Sequence, residues 1–228
     1  GFMAISTQLA GRFRAGAAKV AVMSSALYGT ISGSASANVA STGVITVPAM
    51  IRLGYPRPFA AAIEAVASTG GQIMPPVMGA GVFLMAEFLR TTYADLMIVA
   101  LLPAVLYFYT AWIGAHHFAL RHDLRGMTRE ELPGWNRVLR TTPFFVLPFG
   151  ILVGMLMIGE YAAPYSAVFA TAVTVLLLCV ESSGRISLAT WLRRFQTGLV
   201  DAANQTAFIA AVILCSGIIV GTFAMTGV

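Results

Sequence analysis

From Val20 to Ile51 the chain carries no Asp, Glu, Lys or Arg, whereas one bilayer crossing needs only about 20 apolar residues. A single helix would overshoot. At the centre of this run stands Ile31-Ser-Gly-Ser-Ala-Ser-Ala-Asn-Val-Ala-Ser-Thr-Gly43, small, hydroxylated and rich in glycine. The pattern predicts a re-entrant hairpin over 20–51, two half-length helices meeting at a tip from Ser32 to Asn38. Backbone at such a tip is tolerated within a membrane only where protein or a polar cavity satisfies it.

A second interrupted segment follows. Residues 59–89 are long enough to span, yet Gly70-Gly71 and Pro75-Pro76 lie near their centre. Proline has no N–H and clashes with the preceding turn, so the pair predicts a discontinuous helix with freed carbonyls. Leu53-Gly-Tyr-Pro-Arg-Pro-Phe59 reads as the turn between the two features. Beyond them, Leu96–Leu120, Thr141–Ile158 and Tyr161–Val180 read as spans, and Ala202–Val228 begins another. Ile186–Phe195 alternates apolar and basic positions around Trp191 and predicts an interfacial helix. Two polar loops, 121–140 and 182–200, connect these pieces, and Thr128-Arg-Glu-Glu131 resembles a capping box. The organisation is therefore 1–95, with hairpin and broken helix, followed by 96–228 with further spans.

Composition narrows the class. The 228 residues are 58% hydrophobic and 10% charged, with a mean hydropathy of +0.81, far from the roughly 25% charged residues of a soluble domain. The fold class predicted is all-α, a polytopic integral membrane protein. Cys179 and Cys215 stand apart in apolar runs and read as small core residues. Starting on Gly1 and ending within an apolar run, the chain reads as an internal piece of a longer protein.

The net charge of +5 does not point to nucleic acid, since the basic residues are scattered between apolar segments. They report topology. With a re-entrant hairpin, all of the 14 basic residues except Arg90 fall on one side, which the positive-inside rule makes cytoplasmic. A full crossing at 20–51 would instead separate Arg12, Arg14 and Lys19 from Arg52 and Arg57.

Discontinuous helices at the bilayer midplane are how secondary transporters assemble ion and substrate sites. The candidate ligands are the tip residues Ser32, Gly33, Ser34, Ser36 and Asn38 together with the break from Gly70 to Pro76. Glu64 is a candidate proton carrier, because carboxylates inside membranes are costly and often functional; Glu87 lies near the outer end. His116 and His117 are adjacent, so they point to different helix faces and do not suggest a metal pair. A channel would need a continuous polar pore. A hydrolase would need a base near Ser32, Ser34 or Ser36, and neither hairpin nor broken helix holds a His or Asp.

Gly29-Thr-Ile-Ser-Gly-Ser34, Val44-Ile-Thr-Val-Pro48, Leu53-Gly-Tyr-Pro56 and Ala67-Ser-Thr-Gly-Gly-Gln-Ile-Met-Pro-Pro76 together resemble the large membrane subunit of tripartite ATP-independent periplasmic (TRAP) transporters, most of all the fused type that works with a TAXI-class binding protein. The resemblance is specific over residues 1 to about 90. It implies half of an elevator-type secondary transporter in the bacterial inner membrane, importing organic acids (carboxylates) from a periplasmic binding protein, with a small membrane subunit or its fused equivalent. It implies no cofactor and a sodium ion held at Ser32, Ser34 and Gly71, with Gly33, Gly70, Ile73, Met74 and Pro75 around it. Ser34, Ser36, Asn38 and Pro76 are then assigned to substrate. Ala35, Ala67-Ser68 and Val77 depart from the family pattern and leave sodium and proton coupling both open. The family's second, inverted half has no counterpart before Val228.

Overall fold

A computed structural model describes residues 2–157, 163–177 and 188–226. The turn at Glu160, Cys179 and positions 182–187 of the last loop lie outside the described residues. All regular structure among the described residues is helical. After α1 (Phe2–Ala10), α2 (Gly16–Ser32) forms the first arm of the hairpin. It ends at Gly33, whose φ of 58° is left-handed, a conformation that costs L-residues free energy and suits glycine. Ser34 then caps α3 (Ala35–Asn38) by accepting a hydrogen bond from the Ala37 N–H at 3.3 Å. One π-helical turn (Val39–Gly43) leads into α4 (Val44–Arg52), the returning arm.

The hairpin is thus present, with its reversal confined to Gly33-Ser34. Asn38, expected at the tip, is instead fully buried between the arms, its Nδ2 donating to the Ser25 carbonyl at 2.9 Å. A small, strongly polar side chain can brace two helices from within where the interior offers a backbone acceptor.

The broken helix consists of α5 (Arg57–Gly70), a non-helical stretch from Gly71 to Ala80, and α6 (Gly81–Leu89). Next, α7 (Tyr93–Arg121) is capped by Thr92, which accepts from the Asp95 N–H and donates to its carboxylate. With 29 residues it is long and apolar enough to cross a membrane. In the connector, Thr128 N–H donates to Glu131 Oε2 at 2.7 Å. This is half of the expected capping box, and it holds the exposed Glu131 carboxyl below its ordinary range.

α8 (Trp135–Thr141), α9 (Pro143–Met157) and α10 (Ala163–Leu177) follow, and α11 (Leu188–Thr226) is the second helix long enough to span. Continuity of α11 corrects the sequence reading of an interfacial helix and a loop reaching position 200. The only helix breaker between Phe195 and Ala202 is Gly198, and one glycine costs about 1 kcal/mol in a helix, too little to end it. Cys215 also departs from expectation: it is exposed on α11, free, and not a core residue.

The core lies where α2, α4, α5 and α7 converge. Ala15, Ala17, Ala18 and Ala21 line the α2 side, against Met50, Ala60, Ala115 and Ala119. Small side chains let helix backbones approach closely, which is how helices pack where solvent supplies no hydrophobic drive. At one end of this core, Leu53 and Tyr55 of the post-hairpin turn meet Leu124. At the same end Met127 N–H donates to the Gly11 carbonyl at 2.9 Å, and Arg14 pairs with Asp123.

The residues before the hairpin, the turn after it and the start of the 121–140 loop therefore share one end, as the charge pattern predicted. A full crossing at 20–51 could not bring them together. Cysteines introduced singly at Arg57 and Arg125, in a background lacking Cys179 and Cys215, are expected to label identically with an impermeant reagent; opposite accessibility would contradict the hairpin.

Candidate functional site

Two glycines set how hairpin and break meet. A Cβ on Gly29 would lie 2.4 Å from the Gly71 Cα, and one on Gly33 would lie 1.8 Å from the Met78 carbonyl oxygen. The Val77 N–H donates to the Thr30 carbonyl at 3.3 Å. Hairpin and broken helix are in direct backbone contact along this seam, the juxtaposition that the two interrupted segments suggested. The register is more specific than the sequence disclosed: Gly71 faces Gly29 and Asn38, a turn short of the tip, while the tip itself meets Val77 and Met78.

Within the break, Ile73 N–H donates to Gly70 O and Met74 N–H to Gly71 O, so a tight turn persists as far as Met74. Gly79 N–H then closes on Gln72 O at 2.7 Å. The Tyr93 hydroxyl, at the start of α7, lies 2.7 Å from Pro76 O and 2.6 Å from Val77 O. Between these fastenings, the carbonyls of Ile73, Met74 and Pro75 accept no hydrogen bond among the described residues. Ser32 Oγ is buried without a partner. Buried polar atoms are normally paired, and unpaired neutral oxygens on the two sides of this seam are the kind of group for which a hard monovalent cation trades its water shell.

Other predicted residues have additional duties. Ser34 Oγ caps α3 and lies 3.2 Å from Ser36 Oγ. Gly70 makes room for α7, since a Cβ there would be 2.5 Å from the Tyr107 ring. His116 and His117 diverge as expected: His116 Nδ1 meets Lys19 Nζ at 3.3 Å, while His117 Nδ1 lies 3.0 Å from its own helix's Ile113 carbonyl.

Sequence reasoning missed Tyr93; an aromatic hydroxyl 17 residues after Pro76 carries no local signature. Glu64 was named from the sequence as a candidate proton carrier, without its surroundings. Structure puts that carboxyl 1% exposed in the hairpin interior, within hydrogen-bonding range of Ser25, Thr42, Thr46 and Ser68.

A family model described as "Tripartite ATP-independent periplasmic transporter, DctM component" matches residues 1–228. The C4-dicarboxylate TRAP transporter large permease protein DctM of Pseudomonas aeruginosa is 30% identical over 169 residues, covering 72% of this chain and 39% of its own length. The ectoine/5-hydroxyectoine TRAP transporter large permease protein UehC of Ruegeria pomeroyi is 27% identical over 206 residues, 89% of this chain and 45% of that protein. An isethionate TRAP transporter permease protein, DctMQ of Oleidesulfovibrio alaskensis, is 36% identical over 72 residues, 32% of this chain and 11% of that protein. The chain spans less than half the length of these relatives.

Proposed function

Because the chain belongs to the DctM component family of TRAP transporters, a family of membrane permeases and not of enzymes, we propose that it forms the hairpin-bearing part of a cation-coupled secondary importer of organic acids. In this reading the protein is a multi-pass component of the bacterial inner membrane. It receives its carboxylate substrate from a periplasmic binding protein of the TAXI class and works with a small membrane subunit, separate or fused. The observation that carries the proposal is the backbone seam between hairpin and break, with the unpaired Ser32 Oγ and the free Ile73, Met74 and Pro75 carbonyls beside it.

The coupling ion of this reading is sodium, bound near Ser32 and Ser34 and the carbonyls that follow Gly71. Ser34, Ser36 and Pro76, next to that ion, are proposed to meet the organic acid. A cation beside a carboxylate substrate would make their binding mutually dependent, which is the thermodynamic requirement for symport. Asn38 holds the arms together and has no direct contact with substrate in this proposal.

Ser32→Ala discriminates well, because its hydroxyl makes no protein hydrogen bond and its removal should barely change folding stability. In proteoliposomes of the full-length protein supplied with its binding protein, the variant is expected to need roughly tenfold more sodium for half-maximal uptake, the equivalent of about 1.4 kcal/mol. Unchanged sodium dependence would reject this ion site.

A further inference from the structure

Helices α5 and α7 are fastened to each other toward both ends of their contact and stand apart between. Near the arginine-bearing end the Phe59 and Phe118 rings stack, with centroids 3.4 Å apart. Toward the break, the Tyr107 hydroxyl donates to the Val66 carbonyl at 2.8 Å, and Gly70 packs directly against the Tyr107 ring. The intervening positions are small: Ala62 on α5, and Ala111, Gly114 and Ala115 on α7. They provide too little side chain to fill the space, and an open groove of about 450 Å³ runs from Val66 and Ala111 at one end to Arg121 at the other.

The depth of the groove limits what can occupy it. From Ala111 to Arg121 the axial distance along α7 is about 15 Å at 1.5 Å of rise per residue, half of a hydrocarbon core about 30 Å thick. The groove therefore runs the depth of one leaflet, on the side that the charge pattern makes cytoplasmic. Ala62, Val66 and Gly114 are exposed, so no other described element covers it. A long apolar crevice open sideways to the bilayer takes a flexible acyl chain, because association in lipid gains from van der Waals contact and not from release of water.

Charge at the mouth is positive. Arg121, exposed at the C-terminal end of α7, forms no ion pair among the described residues. His117 Nδ1 is engaged by the Ile113 carbonyl at 3.0 Å, which leaves the arginine as the group for an anion, and Arg57 opens α5 just before Phe59. No acidic residue lines the groove. At this end of the molecule Asp123 pairs with Arg14, while Glu131 accepts from the Thr128 N–H and lies near Arg125 and Arg52. A guanidinium without a carboxylate partner matches the two free oxygens of a phosphate diester, and basic pockets between helices on the cytoplasmic side suit anionic headgroups.

We propose that the groove between α5 and α7 binds an anionic phospholipid of the cytoplasmic leaflet, with an acyl chain between the helices and the phosphate on Arg121. The lipid completes the packing of α5, which leads into the break, against α7, whose Tyr93 holds the break's other end. The inference rests on the membrane placement of these helices and not on the coupling ion or substrate of the importer reading.

Delipidated full-length protein in neutral detergent, titrated with mixed micelles of phosphatidylglycerol or, at equal mole fraction, phosphatidylcholine, tests the site without uptake. Thermal midpoint and retained lipid are the readouts. Phosphatidylglycerol is expected to be retained about fivefold better and to raise the midpoint, the selectivity that one interfacial arginine supplies. Arg121→Gln should retain the two lipids equally, with the lipid-free midpoint unchanged. Gly114 allows a steric test, since a Cβ there meets nothing within 4 Å. Gly114→Leu should fill the groove and lose the rise in midpoint, whereas Gly114→Ala, which adds one methyl, should keep it. Equal retention of both lipids by the unmodified protein, or phosphatidylglycerol selectivity unchanged in either Gly114→Leu or Arg121→Gln, would overturn the proposal. The same stabilisation by glycerol phosphate, which has the charge and no chains, would mean a site for soluble anions and would overturn it too. So would a protein that retains no lipid and whose lipid-free midpoint falls in Gly114→Leu, because the groove would then be filled by another segment of the full-length chain.

Discussion

Gly33→Ala is expected to abolish uptake by the full-length transporter and to lower its thermal midpoint. Two separate penalties coincide at this position. The left-handed backbone, at φ 58°, costs an L-residue about 1–2 kcal/mol. The added methyl would also fall 1.8 Å from the Met78 carbonyl oxygen, an atom of the broken helix and not a yielding side chain. Relief requires the tip to lift away from Val77 and Met78, which dismantles the seam. Both uptake and differential scanning of the purified protein report the effect. Wild-type behaviour of this variant would mean that hairpin and break do not touch as described.

Tyr93→Phe should produce the next largest loss while leaving the hairpin folded. Its hydroxyl reaches Pro76 O and Val77 O, fastening the C-terminal end of the break to α7. Leaving a buried carbonyl without its partner costs about 1–3 kcal/mol. If the break must hold its carbonyls in place to bind an ion, most of that cost appears as weaker sodium binding, roughly tenfold or more. The ring of phenylalanine preserves the stacking against Phe83, so an effect on packing should be small. Sodium titration of uptake, compared with Ser32→Ala, measures it; a Tyr93→Phe variant with unchanged sodium response would show that the break is rigid without its tether.

Much of the architecture was legible from spacing. The absence of charge across 20–51 and the distribution of arginines required a hairpin, because an apolar run too long for one crossing and flanked by positive charge on both sides has few other solutions. Gly70-Gly71 and Pro75-Pro76 located the break between α5 and α6, since missing N–H donors and ring clashes are properties of the residues themselves. Where the sequence misled, a tertiary partner or a missing breaker was responsible. Asn38 belongs to the interior because the Ser25 carbonyl is there to receive it. α11 runs on through 195–202 because nothing local is strong enough to stop it.

The sequence by itself determined what each segment can do: reverse at a glycine, unwind at a proline pair, or span as an uninterrupted apolar helix. These outcomes depend on local sterics and on transfer from water, and both are encoded within a few residues. Only the tertiary structure decided which segments answer one another: Gly33 against Met78, Gly29 against Gly71, Tyr93 on the carbonyls of the break, and Glu64 enclosed by four hydroxyls. Contacts between positions as distant as Thr42 and Glu64 leave no periodic trace in the chain. Whether a carboxyl meets water, a cation or a ring of hydroxyls is set by which helices surround it, and that environment determines the form in which it is stable.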